Sequence, residues 1–202
     1  PVPMFSLEMG GSSIIRRMVC AKAKVSLYKF RSGYLESHER ARVQESLADI
    51  TERPFRIYDN PGMTIGAICK ATRHEVEREG AKLVIIDHLG LISTKGMKFD
   101  RKDLEIGYIT GELKNLAKEL NIPIILLAQL NRPQKGMKVT SPKLEDLRES
   151  GNIEQDADIV MFIHREDKGK DESEKTNIAE ILIEKHRNGP VGKVDLYFDE
   201  KT

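Results

Sequence analysis

Residues 103–129 read DLEIGYITGELKNLAKELNIPIILLAQ, and the change of pattern inside this stretch sets the class of fold. Ile106, Ile109, Leu113, Leu116 and Leu120 fall at helical spacing, so one apolar stripe faces a core. IPIILLAQ follows as a short apolar run without alternation, as in a strand buried on both faces. Outward from this helix–strand pair the same units recur. PMFSL is followed by a helix through Met18, and KLVIID and ADIVMFIH read as further buried strands. FRIYD (55–59) precedes a helix whose face is Ile65, Ile68, Cys69, Thr72 and Val76, with Thr64 placed to cap it and Gly80 to end it. The tail, AEILIEKHRNGPVGKVDLYF, alternates around an Asn-Gly-Pro turn and reads as a hairpin with one solvated face. The expectation is an α/β fold with a mostly parallel sheet closed by an antiparallel edge hairpin. Exposed loops are expected at 90–102, 131–143 and 165–177.

A chain of 202 residues is long enough for one sizeable core, so a single domain over 1–202 is expected. With 33 Lys and Arg against 32 Asp and Glu, the net charge is +1, and a polyanion would have to bind a local patch. Cys20 and Cys69 form no CxxC or zinc spacing, and the five histidines, His38, His74, His88, His164 and His186, form no HxxxH. No apolar run spans a bilayer and no signal-peptide pattern opens the chain; a cytoplasmic protein with no membrane contact is expected.

Ligands of open α/β sheets sit beyond the carboxyl ends of the strands. Three polar residues stand at such ends: Glu8 after MFSL, Asp87 after LVII and Gln129 after IILLA. Each alone reads as readily as a loop-start or cap residue as it does as part of a site. Together they suit nucleotide hydrolysis, with one acid for hydrated Mg²⁺, one to polarise water and an amide to sense the terminal phosphate. The tract LEDLRESGNIEQDADIVMF is either a solvated loop leading to a helix cap or a phosphate contact through Arg148 and the backbone at Gly151. Lys185 and Arg187 share one strand face beside the hairpin turn, either as edge charges or as cations aimed at a neighbour's phosphate. His88, next to Asp87, reads as a packed neighbour rather than a metal ligand.

FSLEM, LVIIDHLGLI, EIGYITGELKNLAKELNIPIILLAQLNR, DLRESGNIEQDADIVMFIHRE and EKHRNGPVGKVDLYF together resemble the C-terminal ATPase domain of bacterial replicative DNA helicases, the DnaB family. The resemblance runs over nearly the whole chain with its motifs in order. It implies a RecA-like P-loop NTPase core in a homo-hexameric ring that hydrolyses ATP with Mg²⁺ and moves along single-stranded DNA. It also implies primase and a helicase loader as partners of the parent protein. In this resemblance Glu8 activates water, Asp87 is the Walker B aspartate that organises Mg²⁺, and Gln129 senses the γ-phosphate. Lys185 and Arg187 reach the neighbouring subunit's site, Arg187 as the arginine finger. Arg148, Glu149 and Gly151 match the loop that holds the DNA backbone, and Arg17 an arginine near the nucleotide. His88 stands where the family often has an aromatic residue.

One departure bears on activity. No GxxxxGK[ST] occurs in the chain, and MGGSSIIRR lacks the Lys-Ser/Thr pair. The resemblance places that loop upstream of Pro1, so the chain is expected to be a partial domain, inactive alone, with apolar sheet faces left uncovered. The alternatives are a RecA-like recombination or repair ATPase, or a non-catalytic DNA-binding or ring-assembly module.

Overall fold

In the computed structural model of the chain, residues 1–130, 141–167 and 174–202 are described, with 148–151 described in backbone path only. They form two compact units, one from residues 1–97, 115–129 and 201–202, the other from 98–114 and 130–200.

The first unit is built on a four-stranded sheet. Its strands β1 (Val2–Ser6), β2 (Phe55–Tyr58), β3 (Val84–Asp87) and β4 (Ile124–Leu126) run in the order β2-β1-β3-β4, and every pairing is parallel. β1 and β3 are its centre, where Phe5, Val84 and Ile86 are wholly buried and Phe5 stacks on Tyr58 with ring centroids 4.9 Å apart. Four helices accompany these strands: α1 (Gly11–Ala23), α2 (Leu27–Ser32), α3 (Ser37–Glu52) and α4 (Ile65–Glu79). α4 follows its sequence closely, since the Thr64 side chain accepts from the Ala67 amide and Gly80 ends the helix at φ +73°. α1 runs past the expected end at Met18 because Val19, Cys20 and Ala23 continue its buried face. α3 is locked at its start by a reciprocal cap between Glu36 and Glu39, and Lys29 of α2 donates to Glu39 at 3.0 Å.

α5 (Lys102–Leu120) gives its first part to the second unit and its last turns to the first. Ile109, Leu113 and Leu116 are buried, as the stripe predicts. The second unit also holds a 3-10 segment (Leu144–Ser150), α6 (Gly151–Asp156) and an antiparallel sheet. That sheet orders β5 (Ile159–His164), β6 (Ile178–His186) and β7 (Gly192–Tyr197) in sequence, and β6 and β7 are the expected hairpin. Leu147, Val160, Phe162 and Leu182 form its core, with Leu130, Leu144, Ile153 and Ala157 against them.

Two expectations are corrected. IVMFI is not a parallel strand buried on both faces: β5 pairs antiparallel with β6 and alternates, burying Val160, Phe162 and His164 while Ile159, Met161 and Ile163 are exposed. An apolar residue at every position suits either arrangement, so periodicity cannot separate them. Among the described residues β4 is an edge strand, with Ile125 exposed and Leu127, just past it, exposed as well. The loops expected at 131–143 and 165–177 lie in part outside the described residues. What is described of the second has a buried base. Asp167, 1% exposed, accepts from the Arg165 guanidinium, the Thr176 amide and hydroxyl and the Asn177 amide.

Candidate active site

The carboxyl ends of β1, β3 and β4 come level on one rim of the parallel sheet. In register, Ser6 pairs with Asp87 and Ile86 with Leu126. Beyond the strands the ladder continues: the Leu7 amide donates to the Asp87 carbonyl at 2.7 Å, the Leu127 amide to Ile86 at 2.9 Å and the Leu89 amide to Leu127 at 2.9 Å. Three loop starts are therefore fixed beside one another, and each carries one of the polar residues expected at a strand tip.

Glu8 leaves β1 through a tight turn in which the Ser6 hydroxyl donates to the Met9 carbonyl at 2.6 Å. Its side chain is 55% exposed, and Oε2 lies 3.6 Å from His88 Nε2. Asp87 is the half-buried last residue of β3. Gln129, exposed just past β4, brings its amide Nε2 to 3.2 Å from His88 Nε2. His88 itself is buried and accepts from the Gly90 amide through Nδ1 at 3.2 Å. The rim thus gathers Glu8, Asp87, His88 and Gln129 within one unit. Reading His88 as a packed neighbour captured its burial but not that its ring lies between the other two tips.

A second residue on this rim escaped the sequence reading. Asp59 follows β2, and its carboxylate accepts from the Gly11 amide at 2.8 Å, at the start of α1. α1 has no side-chain cap from its own N-cap residue, Gly10, so this acid supplies one from the neighbouring strand. The signal was present, an acid after an apolar run as at Glu8 and Asp87. Only the packing distinguishes a cap from a free tip. Arg17 is exposed on α1, the helix that follows Glu8.

The basic pair belongs to the second unit and is described there. Lys185 donates to the Glu154 carbonyl, and Arg187 to the Gln155 carbonyl at 3.0 Å. Arg187 Nε also lies 3.4 Å from Asp158, and its amide donates to the Asp158 carbonyl at 2.8 Å. Both cations cover carbonyl oxygens near the C-terminal end of α6, where a helix leaves acceptors unpaired. Asp158 also accepts from Lys114 of α5 at 2.5 Å. That bond, reinforced by the charges of Lys114, Arg187 and Lys185, holds the Asp158 carboxyl below its ordinary range. Arg148 and Glu149 fall in the 3-10 segment and Gly151 opens α6, but their side chains lie outside the described residues.

Among the described residues no three His, Cys, Asp or Glu side chains gather as a metal-ligand set. A hard oxygen donor at the rim, such as Asp87, still suits Mg²⁺, which is commonly held by one or two carboxylates together with phosphate oxygens. No helix among the described residues is long and apolar enough to cross a membrane.

The sequence profile of the DnaB-like helicase C terminal domain matches residues 1–202. The replicative DNA helicase DnaC of Bacillus subtilis (strain 168) is 39% identical over 197 residues, covering 98% of this chain and 43% of that protein. The replicative DNA helicase DnaB of Geobacillus stearothermophilus is 37% identical over 197 residues, with the same coverage of 98% and 43%. The chain therefore spans less than half the length of these curated relatives. Among solved structures, one described as an ATPase domain superposes with a TM-score of 0.90 at 34% identity, over 99% of this chain and 72% of that one. A DnaB-like replicative helicase, described with its interactions with primase, gives a TM-score of 0.90 at 34% identity, over 99% and 48%.

Proposed function

The chain belongs to the DnaB-like helicase C terminal domain family, and from that premise we propose that it is the ATP-hydrolysing, DNA-translocating part of a replicative helicase. The observation that carries the reading is the shared rim, where β1, β3 and β4 present Glu8, Asp87 and Gln129 side by side. In this reading the attacking water gives its proton to the Glu8 carboxylate as it adds to the terminal phosphorus of ATP, and ADP departs. Gln129 holds an oxygen of the transferred phosphoryl group. Asp87 would hold Mg²⁺, through its own oxygen or a bound water, and the ion when bound neutralises charge on the phosphate oxygens.

Lys185 and Arg187 act on the site of an adjoining copy in a homo-hexamer. Arg187 is half exposed and, among the described residues, its side chain rests on the Gln155 carbonyl and the Asp158 carboxylate, contacts it can exchange for phosphate oxygens. Such a cation is worth ~10³–10⁵ in turnover where it has been measured in related chemistry. Arg148, Glu149 and the backbone at Gly151 track single-stranded DNA. Arg17 lies near the nucleotide. Primase and a helicase loader are the partners of the parent protein in this reading, and the whole of 1–202 acts as one RecA-like domain.

The test is made on the full-length helicase. Glu8→Gln lowers ATP turnover ~10²–10⁴-fold while ATP still binds, and duplex unwinding is lost with it. Undiminished turnover in that variant overturns the assignment of the rim.

A further inference from the structure

Among the described residues, His88 lies between Glu8 at the tip of β1 and Gln129 past β4, and its surroundings dictate how it does so. Its side chain is 11% exposed and has little room to turn. A methyl group on Gly90 would stand 3.2 Å from its Cε1 and 3.3 Å from its Nδ1, so the Gly90 backbone is packed tightly against this edge of the ring. Nδ1 accepts the Gly90 amide at 3.2 Å. A ring nitrogen that accepts carries no proton, so the neutral ring has its hydrogen on Nε2. That N–H faces two groups, the Gln129 amide at 3.2 Å and Glu8 Oε2 at 3.6 Å. It needs an acceptor, which Gln129 offers when its amide oxygen is turned towards the ring.

We propose that His88 is a positioning residue whose single Nε2–H is exchanged between the Gln129 amide oxygen and the Glu8 carboxylate, so that the position of the phosphate-sensing amide sets the position of the base. With Gln129 on the ring, the donor is taken and Glu8 stands just beyond hydrogen-bond length. When Gln129 swings to the terminal phosphoryl group, the N–H is released, Glu8 moves the remaining few tenths of an ångström to it, and one carboxylate oxygen is held while the other faces water. No proton changes owner in this exchange; only the acceptor does. The inference rests on the hydrolytic reading of Glu8 and Gln129 given above.

The experiment has two readouts on the full-length protein. Long-range ¹H–¹⁵N spectra of the imidazole are recorded without nucleotide and with a non-hydrolysable ATP analogue. The expected result is protonation at Nε2 and not Nδ1, with an Nε2 resonance that shifts on adding the analogue and loses that shift in Gln129→Ala and in Glu8→Gln. Protonation at Nδ1, or a resonance indifferent to both variants, overturns the proposal. In steady-state kinetics, His88→Phe keeps a buried ring without the donor and lowers kcat ~10–100-fold with KM for ATP little changed. His88→Gln restores a donor near the Nε2 position and recovers most of the loss. Equal activity, or equal loss, in the two variants overturns it. If His88→Phe does not fold, Gly90→Ala crowds the ring without removing a polar group and shows the same split of kcat from KM, and wild-type kinetics in that variant overturn the proposal. The underlying reading fails separately: if Glu8→Gln and Gln129→Ala both keep full turnover, the rim is not the hydrolytic site, whatever the spectra of His88.

Discussion

Glu75 shows how strongly one residue can depend on another. Its side chain is 0% exposed, and Oε1 accepts from Arg56 at 3.0 Å and from the Tyr58 hydroxyl at 2.5 Å. Oε2 and the Thr72 hydroxyl, one turn apart on α4, are buried without a partner among the described residues. A carboxylate so enclosed is tolerable only while its cation is present. Burial, and then the Glu75 carboxylate, push the Tyr58 phenol upward, so the hydroxyl stays a donor well into alkaline pH. Arg56→Ala should therefore destabilise the fold by ~2–3 kcal/mol, read as a lower midpoint in urea. A change within ~0.5 kcal/mol would show that Tyr58 alone suffices. Neither Arg56 nor Glu75 stands out in the sequence, because FRIYD and RHEVEREG read as an ordinary strand and helix. Their pairing is a consequence of β2 lying beside α4.

Among the elements, α5 does most to place others within the second unit. Gly107, Thr110 and Lys114 lie along one face of it. Asn152 packs on Gly107 so closely that a Cβ there would collide with its side-chain amide, and it donates to the Asp103 carbonyl at 3.2 Å. Thr110 donates to Asp156 at 2.5 Å and Lys114 to Asp158 at 2.5 Å. α6 is thus seated by one helix face. Gly107→Val should displace Asn152 and cost ~1–3 kcal/mol, measured by thermal unfolding. A gain in stability, from the better helix propensity of valine over glycine, would show the seat to be loose.

In the first unit, Asp49 of α3 accepts from Arg53 and pairs with Lys22 of α1 at 3.0 Å. Those partners lower its carboxyl from 3.8 to about 2. A depressed folded-state value means stability that is complete above 3.8 and lost as the pH falls towards about 2. Asp49→Asn should flatten the acid limb of unfolding over that window, followed by circular dichroism against pH. An unchanged limb would place the linkage elsewhere.

At the scale of the whole molecule, charge is balanced, with a net of +1, so affinity for a polyanion has to be local. On the function proposed above, Arg148→Ala in the full-length protein should weaken single-stranded DNA binding by a similar factor on every sequence and reduce its salt dependence by about one counterion, read by fluorescence anisotropy across a salt series. Unchanged binding at low salt would remove Arg148 from the DNA path.

Much of the molecule was legible in the residues alone, and for a physical reason. Helical stripes, strand runs, the Thr64 and Gly80 boundaries and the polar tips of β1, β3 and β4 are local properties, set by side chains within a few residues of one another. α3 escaped because SHERARVQESLADITE buries only Glu39, Ser46 and Ile50, too few and too polar for a clear stripe. Tertiary structure decided the rest. Whether IVMFI was parallel or antiparallel depended on which strand it met, and whether Asp59 was a cap or a ligand depended on which helix began beside it. That His88 should stand between Glu8 and Gln129 depended on β1, β3 and β4 pairing in one register. The sequence by itself determined which chemical groups sit at the strand ends, and only the hydrogen-bonded ladder, joining residues 41 and 80 positions away from His88, decided which of them meet.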